Sequence, residues 1–259
     1  MTEKKDTLVV LIDAENAQAS IIEELLSEIA KYGTASVRRI YGDFTDQNLS
    51  SWKKTLLAHS INPIQQFRYT SGKNASDSAL IIDAMDLLHS KRFDGFCIVS
   101  SDSDFTRLAM RIREEGLRVY GFGEKKTPQS FVAACDRFIY TEILRKSPAA
   151  PAKPARGPRR KPKAAPSADQ VPAGVGLPGG SLPIDDIRDA VEATADETGW
   201  AALGRVGGII GDRRPDFDPR NFGHKNLSAL IQATGQFELQ RRGTPGQSQS
   251  VYLRAKAEP

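Results

Sequence analysis

Three acidic islands recur along this 259-residue chain: Asp13 with Asn16 behind the apolar run 8–12, Asp77 at the start of an amphipathic stretch, and Asp102 with Asp104 behind Ser100 and Ser101. Carboxylates that converge repel one another. Their pKa values rise until a divalent cation relieves the repulsion and holds them ionised. An all-oxygen donor set suits Mg²⁺ or Mn²⁺, and such an ion polarises a phosphodiester and generates hydroxide from bound water. The chemistry these residues imply is metal-assisted hydrolysis. Asp13, Asp77, Asp102 and Asp104 are the expected ligands, with Asn16, Ser100 and Ser101 orienting water or phosphate and Lys73 near enough to meet phosphate. The competing reading is helix capping, the commonest task of a single Asp before a helix, and it fits Asp77 and either Asp102 or Asp104 taken one at a time.

Convergence requires the right scaffold. Residues 8–12 form an unbroken apolar run rich in β-branched side chains, the pattern of a strand buried on both faces. Ile22, Leu25, Leu26 and Ile29 then repeat at helical spacing, ending near Gly33. Strands are expected at 37–44, 61–67, 96–99 and 117–122, with a short sixth at 138–140, and helices at 49–59, after Asp77 and after Phe105. Pro63 places the third strand toward an edge. This alternation predicts an α/β fold with a mainly parallel, doubly wound sheet. In strand order 3-2-1-4-5 the order reverses between the strands ending at Ile12 and Val99, so Asp13 and Asp102 face one crevice.

Charge divides the rest. Residues 1–144 carry 18 Lys/Arg against 20 Asp/Glu, and 164–259 carry 10 against 12, whereas 145–163 hold eight Lys/Arg and no acid. The segment 145–181, rich in Pro, Ala, Gly and Lys/Arg, reads as a disordered tether whose basic block attracts polyanions. Residues 182–259 repeat a helical pattern three times (Ile184, Ile187, Val191; Trp200, Leu203, Val206, Ile210; Leu227, Leu230, Ile231) before two short strands at 237–239 and 251–253. Three helices and a hairpin make a winged helix. Lys225, Arg241 and Arg242, on or near its third helix and wing, are candidate RNA-backbone contacts, and Tyr41, Phe67 and Tyr69 are candidate stacking surfaces that elsewhere serve as core.

Two cysteines, Cys97 and Cys135, each among apolar neighbours, give no disulfide framework, and the amino-terminal apolar run is too short for a signal peptide or membrane span. A cytoplasmic protein is expected. His59, His89 and His224 are scattered, which argues against zinc.

Together, Leu11-Ile12-Asp13-Ala14-Glu15-Asn16, Ala75-Ser76-Asp77, Val99-Ser100-Ser101-Asp102-Ser103-Asp104-Phe105 and Val119-Tyr120-Gly121-Phe122-Gly123 resemble the NYN domain of the LabA-like family, a relative of the PIN nucleases. The resemblance covers over half the chain. It implies a PIN-like Rossmannoid fold over 1–144 and a metal-dependent endoribonuclease site at Asp13, Asn16, Asp77, Asp102 and Asp104. Residues 182–259, with Asn221-Phe222-Gly223-His224-Lys225 leading into Leu227, are similar to the OST-HTH/LOTUS winged helix, an RNA-binding or protein-partner module. Two other functions fit the same acids. Haloacid-dehalogenase phosphatases also place an aspartate after the first strand, although their second aspartate is Glu15 here, and an RNA-binding adaptor without activity would use the acids as caps alone.

Overall fold

The computed structural model describes residues 5–67, 75–145, 182–242 and 250–256. Lys73, Tyr69 and residues 146–181 of the expected tether lie outside the described residues.

The first unit alternates strand and helix as the periodicities require: β1 (Thr7–Asp13), α1 (Ile22–Ile29), β2 (Thr34–Gly42), α2 (Trp52–Ala58), β3 (Asn62–Gln65), α3 (Ala75–His89), β4 (Gly95–Val99), α4 (Thr106–Glu114), β5 (Arg118–Gly123), α5 (Gln129–Ala134) and β6 (Arg137–Tyr140). The six strands lie in order β3-β2-β1-β4-β5-β6, all parallel, so the reversal falls between β1 and β4 and the proline-bearing β3 is an edge. β1 has no exposed residue from Leu8 to Ile12. Val9 and Leu11 pack with Leu80, Leu108 and Phe131 on one face, and Leu8, Val10 and Ile12 with Ile22, Leu25 and Trp52 on the other. A strand covered on both sides cannot alternate polar and apolar, which is why its sequence reads as one greasy run. Tyr41 belongs to this core rather than to a stacking surface: it is 0% exposed and its hydroxyl donates to Asp83 Oδ2 at 2.9 Å. Phe67 is exposed.

The second unit comprises α6 (Ile184–Glu192), β7 (Ala201–Ala202), α7 (Leu203–Arg213), α8 (Leu227–Thr234), β8 (Phe237–Arg242) and β9 (Ser250–Ala255) around a core that includes Ile187, Val206, Ile210, Leu230, Ile231 and Leu253. The three helices and antiparallel hairpin stand as expected, and β7 adds a third strand in order β7-β9-β8. Trp200, expected to begin the second helix, lies before β7 instead. Its backbone N–H is held by Asp196 Oδ1 at 3.0 Å, and its ring stacks against Arg242 and Arg254 at 5.0 and 4.9 Å.

The two units meet along a polar seam. Phe138 N–H on the outer side of β6 donates to the Pro215 carbonyl at 2.8 Å, and Tyr140 hydroxyl donates to Asp216 Oδ2 at 3.1 Å. Arg220 reaches α1 with both terminal nitrogens, contacting Glu28 Oε2 at 3.0 Å and Oε1 at 2.9 Å, while Asp218 grips the same guanidinium from behind at 2.7 Å. Among the described residues no helix is long and apolar enough to cross a membrane.

Candidate metal centre

The carboxyl ends of β1 and β4 bring the acidic islands to one crevice. Asp13 is the last residue of β1 and is 1% exposed. Its Oδ1 accepts from Glu15 N–H at 3.0 Å, and its Oδ2 accepts from Asn16 Nδ2 at 2.7 Å and Ser100 Oγ at 2.8 Å. Ser100, one residue beyond β4, also accepts from Asp102 N–H at 3.1 Å, so a single hydroxyl ties the first acidic island to the third. Close approach makes this tie: at Gly123, the end of β5, a Cβ would stand 2.6 Å from the Ser100 carbonyl oxygen, so a larger residue there would displace the loop. Ser101 hydroxyl accepts from Glu124 N–H at 2.8 Å, which fixes its rotamer.

Asp77, Asp102 and Asp104 complete the arrangement. Each offers one carboxylate oxygen, and these three oxygens all lie within 4.8 Å of one another. A divalent ion bound by carboxylates and several waters has this span, and a donor set made only of oxygen fits Mg²⁺ or Mn²⁺. Asp102 also caps the short helical turn at Ser103–Phe105 by accepting from Asp104 N–H at 2.9 Å, so capping holds for this residue while its other oxygen remains available. Asp77 lies in the first turn of α3, not ahead of it. Asp13 stands beside the trio rather than in it, with both its oxygens already engaged.

Electrostatics mark the same place. Asp77 is pushed up to about 6, first by burial and then by the charges of Asp13, Asp102, Glu15 and Asp104. Burial raises the Asp13 carboxyl as well, against the lowering effect of its hydrogen bonds from Asn16, Ser100 and Glu15 N–H. Glu15, not among the expected ligands, stands in the field of both and accepts from Ser76 Oγ at 3.4 Å. Its adjacency to Asp13 was the available signal. Glu124 also went unread, and it receives Lys126 at 2.9 Å and Arg145 at 3.8 Å beside the crevice.

The remaining candidates are elsewhere. Lys225 precedes α8, and Arg241 and Arg242 lie on β8. Arg242 stacks on Tyr252 at 4.6 Å as well as on Trp200, so with Arg254 the wing carries a ladder of alternating cations and rings that positional reasoning missed, because its members are spread over residues 200–254.

The NYN domain description matches residues 7–144 and the OST-HTH/LOTUS domain description residues 181–249. The chain matches none of the curated proteins with which it was compared. Among solved structures it is similar to a protein of unknown function from Vibrio parahaemolyticus (18% identity, 53% of this chain and 94% of that one, TM-score 0.45). It is also similar to an uncharacterised protein of Nitrosomonas europaea (35% identity, 38% and 94%, TM-score 0.31) and to a Chromobacterium violaceum protein (32%, 29% and 80%, TM-score 0.25). With its parallel sheet, the acids at the reversal and a match over more than half its length, the chain belongs to the NYN domain family and carries an OST-HTH/LOTUS domain behind it.

Proposed function

We propose that this protein is a metal-dependent endoribonuclease whose carboxyl-terminal module and basic 145–163 segment bring RNA to the crevice. One observation carries the reading: three carboxylate oxygens from α3 and the β4–α4 connection meet within 4.8 Å at the reversal of strand order. Asp77, Asp102 and Asp104 would hold Mg²⁺ or Mn²⁺, which when bound supplies Lewis-acid polarisation of the phosphodiester and a source of hydroxide. Asp13 shapes the field from behind. Held by Asn16 and Ser100, its carboxylate cannot swing, and Ser100 Oγ in turn fixes the backbone of Asp102. Ser101 stands beside the same loop as a candidate phosphate contact.

The phosphatase alternative fares worse on geometry. An attacking Asp13 carboxylate needs access to substrate, whereas this one is 1% exposed and already accepts from three donors on its two oxygens. Affinity for RNA is assigned to the basic segment, to Lys225, Arg241 and Arg242, and thus to phosphate neutralisation that weakens with salt. A protein partner is the other occupant proposed for the carboxyl-terminal module. The reduced, buried Cys97 and Cys135 support a cytoplasmic setting.

The deciding experiment incubates labelled RNA with Mg²⁺, Mn²⁺ or EDTA and compares wild type with Asp102→Asn. Cleavage that needs the metal and is lost in the variant supports the proposal; RNA bound but left intact in every metal would make the protein a binding adaptor.

A further inference from the structure

The space beside the carboxylate cluster has a chemistry of its own. A cavity of about 540 Å³ opens where β1 and β2 end, within the ~300–1,000 Å³ range of small-ligand sites. Glu15, Asp43, Asp46 and Asn48 line it together with Leu49 and the deeply buried Trp52, and among the described residues no lysine or arginine does. Carboxylates on this wall disfavour phosphate and favour a neutral group that brings N–H donors.

The acceptors are held in place before any ligand arrives. Asp46 Oδ1 caps the helical turn Gln47–Leu49 by accepting from Asn48 N–H at 2.9 Å, and its Oδ2 has no partner among the described residues. Asp43 Oδ1 accepts from Thr45 N–H at 3.1 Å and Gln65 Nε2 at 2.7 Å. Fixed acceptors lose little entropy on binding. The cavity also joins the metal centre through Glu15, whose N–H donates to Asp13 at 3.0 Å and whose Oε1 accepts from Ser76, the residue before Asp77.

We propose that this cavity is a nucleobase subsite that takes guanine from an RNA strand whose backbone crosses the neighbouring carboxylates, an inference that rests on the ribonuclease reading. Guanine alone among the four RNA bases presents two adjacent N–H donors on its Watson–Crick edge, N1–H and the 2-amino group, and an ionised carboxylate is an acceptor on both oxygens. Uracil brings one donor between two acceptors. Adenine and cytosine set an acceptor beside their single amino group.

Guanosine and adenosine, which lack phosphate and so do not depend on the metal centre, are titrated into full-length wild type, Asp46→Asn, Asn48→Ala and Asp102→Asn by NMR. Asp46→Asn keeps an Oδ1 for the cap. Guanosine is expected to bind about tenfold more tightly than adenosine, with that preference abolished in Asp46→Asn, weakened in Asn48→Ala and kept in Asp102→Asn. In parallel, cut sites are mapped on mixed-sequence RNA: wild type cuts beside guanine, and Asp46→Asn cuts with no such bias. Equal binding of the two nucleosides, or a preference that survives Asp46→Asn, overturns the subsite even where RNA is cleaved. Intact RNA alongside selective guanosine binding would instead strike the nuclease reading and leave the subsite standing.

Discussion

Glu28 at the seam and Asp77 at the crevice are both carboxylates withdrawn from water, and they end on opposite sides of their ordinary pKa. Burial works to raise Glu28, but the hydrogen bonds and charges of Arg220 and Lys31 overcome it and leave the group lowered. Asp77 is raised to about 6 by burial, and every neighbouring charge that acts on it strongly is another carboxylate. The first acid is neutralised by cations the chain itself supplies. Among the described residues the second has no ion pair with a lysine or arginine. The acid that joins the two units is the one paired with cations, and this contrast, more than the mere presence of acids, is what the proposed reading of Asp77 as a metal ligand draws on.

Asp77→Asn should break the contrast most severely. Its metal-dependent RNA cleavage should fall by on the order of 100-fold or more, since a ligand costs at least as much as its outer supports. The metal-free fold should at the same time gain about 1 kcal/mol at pH 7, the raised pKa being discounted because the side chain is part-exposed. Activity assays and urea unfolding of one preparation read both signs, and a loss of both would make Asp77 simply structural.

Next in size is the seam. Arg220→Ala should destabilise the protein by about 2 kcal/mol, below the value for a fully buried pair because Arg220 is 31% exposed while Glu28 is 5% exposed. The double variant Arg220→Met with Glu28→Gln should recover most of that loss. An unchanged unfolding midpoint in Arg220→Ala would mean the two units are not joined through this pair.

A pH series sharpens the comparison further. Asp77 binds its proton more tightly folded than unfolded, so its share of stability grows as pH falls from above 6 toward the ordinary carboxylate range. Glu28 has the reverse sign: its share is full above its unfolded value near 4.5 and is lost as pH drops through its lower folded value. Metal-free protein should therefore become somewhat more stable between pH 7 and 5 and weaken below about 4. A saturating divalent ion should turn the first trend around, because protons and cation compete for the same oxygens. Chemical unfolding with and without Mg²⁺ checks it. The smallest effect belongs to the wing, where Arg242→Ala removes contacts to two rings and should cost about 1 kcal/mol, measured by thermal unfolding.

Much of this could be read before the structure was in hand. The β1 run and the edge position of β3 follow from two local signals, an apolar stretch without alternation and a proline in a strand, and the strand order follows from the doubly wound pattern that strand–helix alternation implies. The acids at strand ends were legible for the same reason, because a doubly wound sheet dictates where strand ends gather. What stayed hidden is what depends on partners far away in the chain. Arg220 and Glu28 are 192 positions apart, and nothing near either residue announces the other. β7 is two alanines long and exists only because β9 pairs with it. Glu15 sits in the turn after β1, and its place beside the site comes from α3, folded back so that Ser76 donates to it.

The Pro215 carbonyl resting on β6 also bears on how this protein can be cut apart. A parallel sheet ends in a ladder rung with nothing beyond it, and such a rung templates the addition of another chain. At the β3 margin a proline removes one of the donors, but at the β6 margin, among the described residues, the Phe138 amide is silenced by a loop from the other unit. Excising residues 1–144 would thus expose a bare rung, and the fragment should pair with its own copies, so that an inert or aggregated truncation would report a lost cover and say nothing about the carboxylates.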